Sequence, residues 1–255
     1  MRLTALIVLA IVTQETPKQD GLASVNAAAQ KLMEKKSYSF VLKQKVDGDD
    51  GLKSALDKMD ADMTGVFVKD GILHAKADEC ECARNGGDAM FLYQKKWRTR
   101  EETNKLFKNK LDSPARNFDT MDNPHDEIGS VREKVATMES KGPETLGTLE
   151  CEKFAGALTD DGAQTLAKIY FGRLSFKGGT GGGRGSAEPS GGKGTATVWV
   201  TKDGIAIQLQ YDLAFNVKVG KADYKATLVR TVIVSDFDAA KLELPADVKK
   251  KLKIE

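Results

Sequence analysis

From residue 205 to residue 220 every second position is apolar. Ile205, Ile207, Leu209, Tyr211, Leu213, Phe215, Val217 and Val219 share one face, and Ala206, Gln208, Gln210, Asp212, Ala214, Asn216, Lys218 and Gly220 share the other. A period of two sends successive side chains to opposite sides of a strand, so this run is one β-strand with a core face and a polar face. At about 3.3 Å per residue it extends roughly 50 Å, far past the usual 17–20 Å. A strand of that length does not stay flat. It curls or bulges, as strands do in barrels and half-barrels.

The flanking sequence supplies partners for it. Residues 195–201 and 224–236 read as strands, the first joined to the long run by Lys202, Asp203 and Gly204. Upstream, residues 37–46 alternate with Tyr38, Phe40, Leu42 and Val46 on one face. Residues 63–69 and 72–77 form a hairpin about Asp70 and Gly71, the favoured turn pair. The turn at 85–88 leads into a strand over 89–98 bearing Phe91, Tyr93 and Trp97, and residues 146–158 also have strand character. Helical spacing of apolar residues appears at 20–36, 103–111, 126–140 and 162–171, the last preceded by Thr159 as N-cap and by Asp160 and Asp161. Pro245 opens a short helix over 246–252. Helices and antiparallel strands in this order make the chain α+β.

Residues 178–194 are rich in glycine but match neither phosphate-binding spacing. Gly192 and Lys193 are followed by Gly194 rather than Ser or Thr. The segment reads as a flexible loop joining two strands.

Charge and composition exclude several function classes. Lys+Arg 39 against Asp+Glu 37 gives a net charge of +2, so there is no basic surplus for phosphate neutralisation and nucleic acid is not an expected partner. The only histidines, His74 and His125, leave little material for histidine catalysis or a multi-histidine metal site. His125 reads as part of a helix N-terminus rather than a general base. No nucleophile–base motif is visible, so no enzyme, metal or cofactor is expected.

The three cysteines, Cys80, Cys82 and Cys151, are disulfide candidates. Cys80 and Cys82 face the same side of a strand and are poorly placed to bridge each other, whereas Cys151 reaches one of them if their strands lie close. Buried thiols, or a weak thiolate and carboxylate metal site at 78–82, are the alternatives.

At the N-terminus, Arg2 precedes ten uncharged residues, 3–12. Such a run is too short to span a bilayer and has the pattern of a secretory signal. Residues 1–19 are therefore expected to be a leader, and 20–255 a single domain in the periplasm or another extracytoplasmic space.

The order of elements resembles the periplasmic lipoprotein-carrier superfamily of LolA, LolB, LppX and LprG. The resemblance rests on the leader, the helix and meander, the Trp-bearing strand at 197–200, the long paired strands after Asp203 and Gly204, and the closing runs 235–237 and 244–248. It implies a strongly curved antiparallel sheet, an open half-barrel, with helices packed across the concave face. The implied function is binding or carriage of a lipid, acyl chain or lipoprotein. An interaction or sensing module on the same fold, with an envelope protein as partner, is the alternative. The expected ligand-binding residues are Phe40, Leu42, Phe91, Trp199, Leu209, Tyr211, Leu213 and Phe215, each of which also suits plain core. An apolar void of several hundred Å³ is expected between residues 209–215 and the helix at 126–140. Lys249, Lys250 and Lys251 are a solvated face that suits, at most, transient contact with anionic lipid heads.

Overall fold

The computed structural model describes residues 20–254 apart from 57–58, 79, 108–112, 114, 116–117, 119–120, 172–174 and 178–183. The leader, the end of the helix expected at 103–111 and the start of the glycine-rich segment, 178–183, lie outside the described residues.

Among the described residues twelve strands form, in chain order, β1 (Ser37–Gly48), β2 (Ala61–Val68), β3 (Ile72–Ala77), β4 (Cys80–Asn85), β5 (Asp88–Tyr93), β6 (Lys96–Thr99), β7 (Glu139–Leu146), β8 (Leu149–Ala157), β9 (Ser175–Lys177), β10 (Arg184–Thr201), β11 (Ala206–Val219) and β12 (Ala222–Ser235). Eleven of them run side by side as β6-β5-β4-β3-β2-β1-β12-β11-β10-β8-β7, and β9 pairs with the start of β10. Every pairing is antiparallel. The end strands β6 and β7 do not pair with each other, so the sheet is an open half-barrel, as the long alternation requires. Its bending is visible as register shifts between Ser190 and Lys193, at Trp199 and Val200, and between Ser140 and Gly142.

Helices α1 (Gly21–Met33), α2 (Lys53–Leu56), α3 (Arg100–Asn104), α4 (Pro124–Gly129), α5 (Asp160–Phe171) and α6 (Ala246–Lys251) complete the fold. Asp20 caps α1 by accepting from the Leu22 amide, and α1 buries Val25, Ala28, Ala29 and Leu32. It lies over β10, β11 and β7 and packs on α4, while α5 lies over β10 and β11. The main core fills the space between these helices and the inner face of the sheet. A smaller cluster on the outer face packs Val248 and Leu252, from α6 and its end, on Ala83 and Met90.

Four expectations are corrected. The helix expected at 126–140 ends as α4 plus a 3₁₀ turn over Ser130–Glu133. The Lys134 carbonyl accepts from the Thr159 amide, and Val135 bridges to Leu158, so the chain leaves the helix to join the sheet. The strand expected at 146–158 is the second arm of a hairpin that turns at Gly147, whose φ is +62°. The strand expected at 89–98 is also a hairpin, because Gln94 and Lys95 both adopt positive φ between Tyr93 and Lys96. Finally, Arg184 to Gly194 form part of a strand rather than a loop. Glycine serves close approach there: a Cβ on Gly192 would crowd Ala163 of α5, and Gly191 turns the bulge with φ +62°.

Candidate ligand-binding face

Strand register decides which expected residues meet. Across β1 to β5 one row reads Phe40, Gly65, Ala75, Cys82 and Phe91. In the other direction Leu42 stands beside Val232, then Leu209 and Val198. Phe40, Leu42, Phe91, Leu209, Tyr211, Leu213 and Phe215 therefore share the inner face, and all seven are buried. Trp199 does not join them. It pairs with Gln208 and Lys153, on the outer face, where the Lys153 ammonium lies 5.3 Å from its ring centroid.

No bridge links the cysteines. All three are buried thiols, and Cys151 on β8 is seven strand positions from β4 in the sheet order. Cys80 and Cys82 point into the core beside Ala77 and Ala75, whereas Glu81 between them faces outward to His74 and Lys76. The two thiols and the Glu81 carboxylate thus lie on opposite faces of β4. Burial, reinforced by Glu81, pushes the Cys80 thiol up to about 11.

Over residues 209–215 the helical layer places aromatic rings and a polar cluster. Phe171 of α5 packs on Phe215 with centroids 4.2 Å apart. Next to it, Arg230 of β12 enters the inner face at 2% exposure and meets Glu127 of α4 at 5%. The guanidinium donates from Nε to Oε1 at 2.6 Å and from Nη2 to Oε2 at 2.8 Å, a fork-to-carboxylate geometry. Its Nη1 donates to Gln44 Oε1 at 3.1 Å, and the Tyr170 ring lies under it at 4.8 Å. The Tyr170 hydroxyl donates to Glu127 Oε1 at 3.4 Å. Burial works against the Arg230 charge, but Glu127 and Tyr170 outweigh it and hold the guanidinium protonated. Burial also drives the Tyr170 and Tyr211 phenols upward.

Beside this pair, α4 begins at Pro124 and holds His125 against β1. The Tyr38 hydroxyl and His125 Nδ1 are 2.7 Å apart, and Phe67 meets the imidazole edge-on at 4.7 Å. Between α1 and α4 a surface cleft of about 200 Å³ is lined by Ala29, Met33, His125 and Ser130 among others.

Sequence reasoning missed Arg230, Glu127 and Gln44. A signal for Arg230 exists: it interrupts the inward series Ala226, Leu228, Val232 and Val234 with a charge.

Solved structures similar to the chain include the lipoprotein LppX of Mycobacterium tuberculosis, 11% identical at a TM-score of 0.43, covering 87% of this chain and 96% of that one. LprF of Mycobacterium bovis is 10% identical at 0.36, covering 88% and 95%. A putative outer membrane lipoprotein-sorting protein domain of Vibrio parahaemolyticus is 8% identical at 0.29, covering 91% and 97%. No family model and no curated protein matches the chain. The half-barrel assignment rests on the strand order itself. Among the described residues no helix is long and apolar enough to cross a membrane.

Proposed function

We propose that the chain is a non-enzymatic binder of a hydrophobic ligand, a lipid or acyl chain, taken up between the curved sheet and its helices in an extracytoplasmic compartment. The observation that carries this reading is sidedness: an open eleven-strand sheet has one predominantly apolar face, roofed by short helices instead of a second sheet. The ladder hydrogen bonds lie within the sheet, so the roof can move without breaking them. Each buried CH₂ contributes about 0.8 kcal/mol, so an acyl chain of about a dozen carbons offsets a substantial part of the loss of motional freedom on binding.

Native mass spectrometry of protein purified from a membrane-containing host tests this directly. Adducts of lipid mass that disappear on denaturation are expected. Protein that carries no adduct and takes up no fluorescent fatty-acid analogue would overturn the reading.

Two contacts between the helices and the inner face support a second reading, an interaction module on the same scaffold. Phe171 is seated on Phe215 and Glu127 on Arg230, so side chains of α5 and α4 already contact these inner-face positions. On this reading the same purification retains a protein partner and no lipid.

A further inference from the structure

The middle of the inner face departs from the rows on either side of it. Gln44, Arg230 and Tyr211 stand in register across β1, β12 and β11. The row on one side is Leu42, Val232 and Leu209, and on the other Val46, Leu228 and Leu213. Stability does not call for an ion pair in that row, because buried pairs are often replaced by apolar residues without loss. Donors are also left over. The Tyr211 hydroxyl is fully buried and makes no hydrogen bond of ordinary geometry, with the Ser130 hydroxyl as the polar group beside it. Ser130 lines the cleft between α1 and α4 that opens to the surface beside the half-exposed Met33. From Tyr211 the apolar inner positions continue through Leu213 and Phe215 to Val217, roughly 20 Å at about 3.3 Å per residue.

Taking the hydrophobic-binder reading as its basis, we propose that Arg230, with Gln44 and Tyr211, is a headgroup site for the carboxylate of a long-chain acid. Glu127 of α4 holds that place in the ligand-free chain. The incoming carboxylate replaces Glu127 on the guanidinium fork and gains the Tyr211 hydroxyl as a further donor, while the alkyl chain runs along the inner face toward Val217. Displaced Glu127 moves with α4 toward the cleft, so binding and roof movement are one event. A ligand with equal affinity for both arrangements would shift nothing; a carboxylate discriminates because it and Glu127 compete for one cation.

Calorimetric titration of the full chain with hexadecanoate and with uncharged hexadecanol tests the site. The acid is expected to bind more tightly than the alcohol. Glu127→Gln removes the internal competitor and is expected to tighten hexadecanoate by about tenfold or more, with little effect on hexadecanol. Tyr211→Phe weakens the acid alone. Arg230→Met abolishes the preference; where stranding Glu127 prevents that variant from folding by near-UV circular dichroism, the doubly neutral Glu127→Gln/Arg230→Met carries the same expectation. Equal binding of acid and alcohol by the parent chain, unchanged in Glu127→Gln, would overturn the headgroup site and leave the hydrophobic binder standing. Absence of binding by both ligands overturns both.

Discussion

Arg230 and Glu127 tie the sheet to the helical layer: one sits mid-strand on β12, the other in the first turn of α4, and each is almost fully removed from water. Removing one partner strands a buried charge. Glu127→Ala is therefore expected to lower unfolding stability by about 3–5 kcal/mol, whereas replacing both with apolar residues, as in Glu127→Leu/Arg230→Met, recovers most of it. Urea unfolding of the two variants and the parent measures this. A single variant as stable as the parent would mean the pair is not desolvated.

Both histidines predict acid sensitivity. Burial holds the His74 imidazole below its ordinary value against the opposing pull of Glu81, and burial holds His125 down against Asp126. A depressed folded-state value means the unfolded chain binds protons first. Stability is then fully present above about pH 6.5 and falls as the pH drops below it, before most carboxylates titrate near pH 4. A thermal midpoint that declines from pH 7 to pH 5 is expected, with the decline reduced in His125→Gln. A flat or rising profile over that interval contradicts the assignment.

Gly65 of β2 stands opposite Phe40 of β1, and the Phe40 ring and the His74 carbonyl occupy the space a Cβ would need. The ring is buried and the carbonyl belongs to the β3 backbone, so neither can move aside freely. Gly65→Ala is expected to destabilise by about 1–3 kcal/mol, read as a lower urea midpoint at unchanged slope. A Phe40→Leu change in the same chain should restore part of that loss if the ring is the obstacle.

Much of the sheet was legible because period-two patterning is local. β1, β2, β3, β11 and β12 match their alternating runs, and the Asp70 and Gly71 turn has the positive φ its residues favour. What escaped was set by distant partners. The Gln94 and Lys95 turn uses residues without turn preference, and the stripe after Glu133 suits a helix until Thr159 and Leu158 claim Lys134 and Val135. The glycine-rich strand was hidden because its glycines answer to α5 and to the bulge rather than to neighbours in sequence.

Site residues divide in the same way. The inner-face aliphatic and aromatic positions follow from alternation, but the face of Trp199 depends on its register with Gln208, which a bulge at the next residue obscures. Arg230 was visible as a misplaced charge; its meaning required α4, since Glu127 lies on a helix more than a hundred residues earlier in the chain.

The outer placement of both tryptophans gives an optical test of where a ligand sits. Trp199 lies over Lys153, and Trp97 pairs with Leu92 near His74 on the same outer side. A hydrophobic ligand on the inner face therefore leaves native tryptophan emission nearly unchanged, because the sheet itself separates it from both indoles. A Phe215→Trp variant places an indole against Phe171 on the inner face. Its emission is expected to shift on addition of a fatty acid, while the parent and a Trp199→Phe variant bind with unaltered affinity. A large spectral change in the parent that vanishes in Trp199→Phe would instead locate the ligand on the outer face and remove the inner face from the binding account.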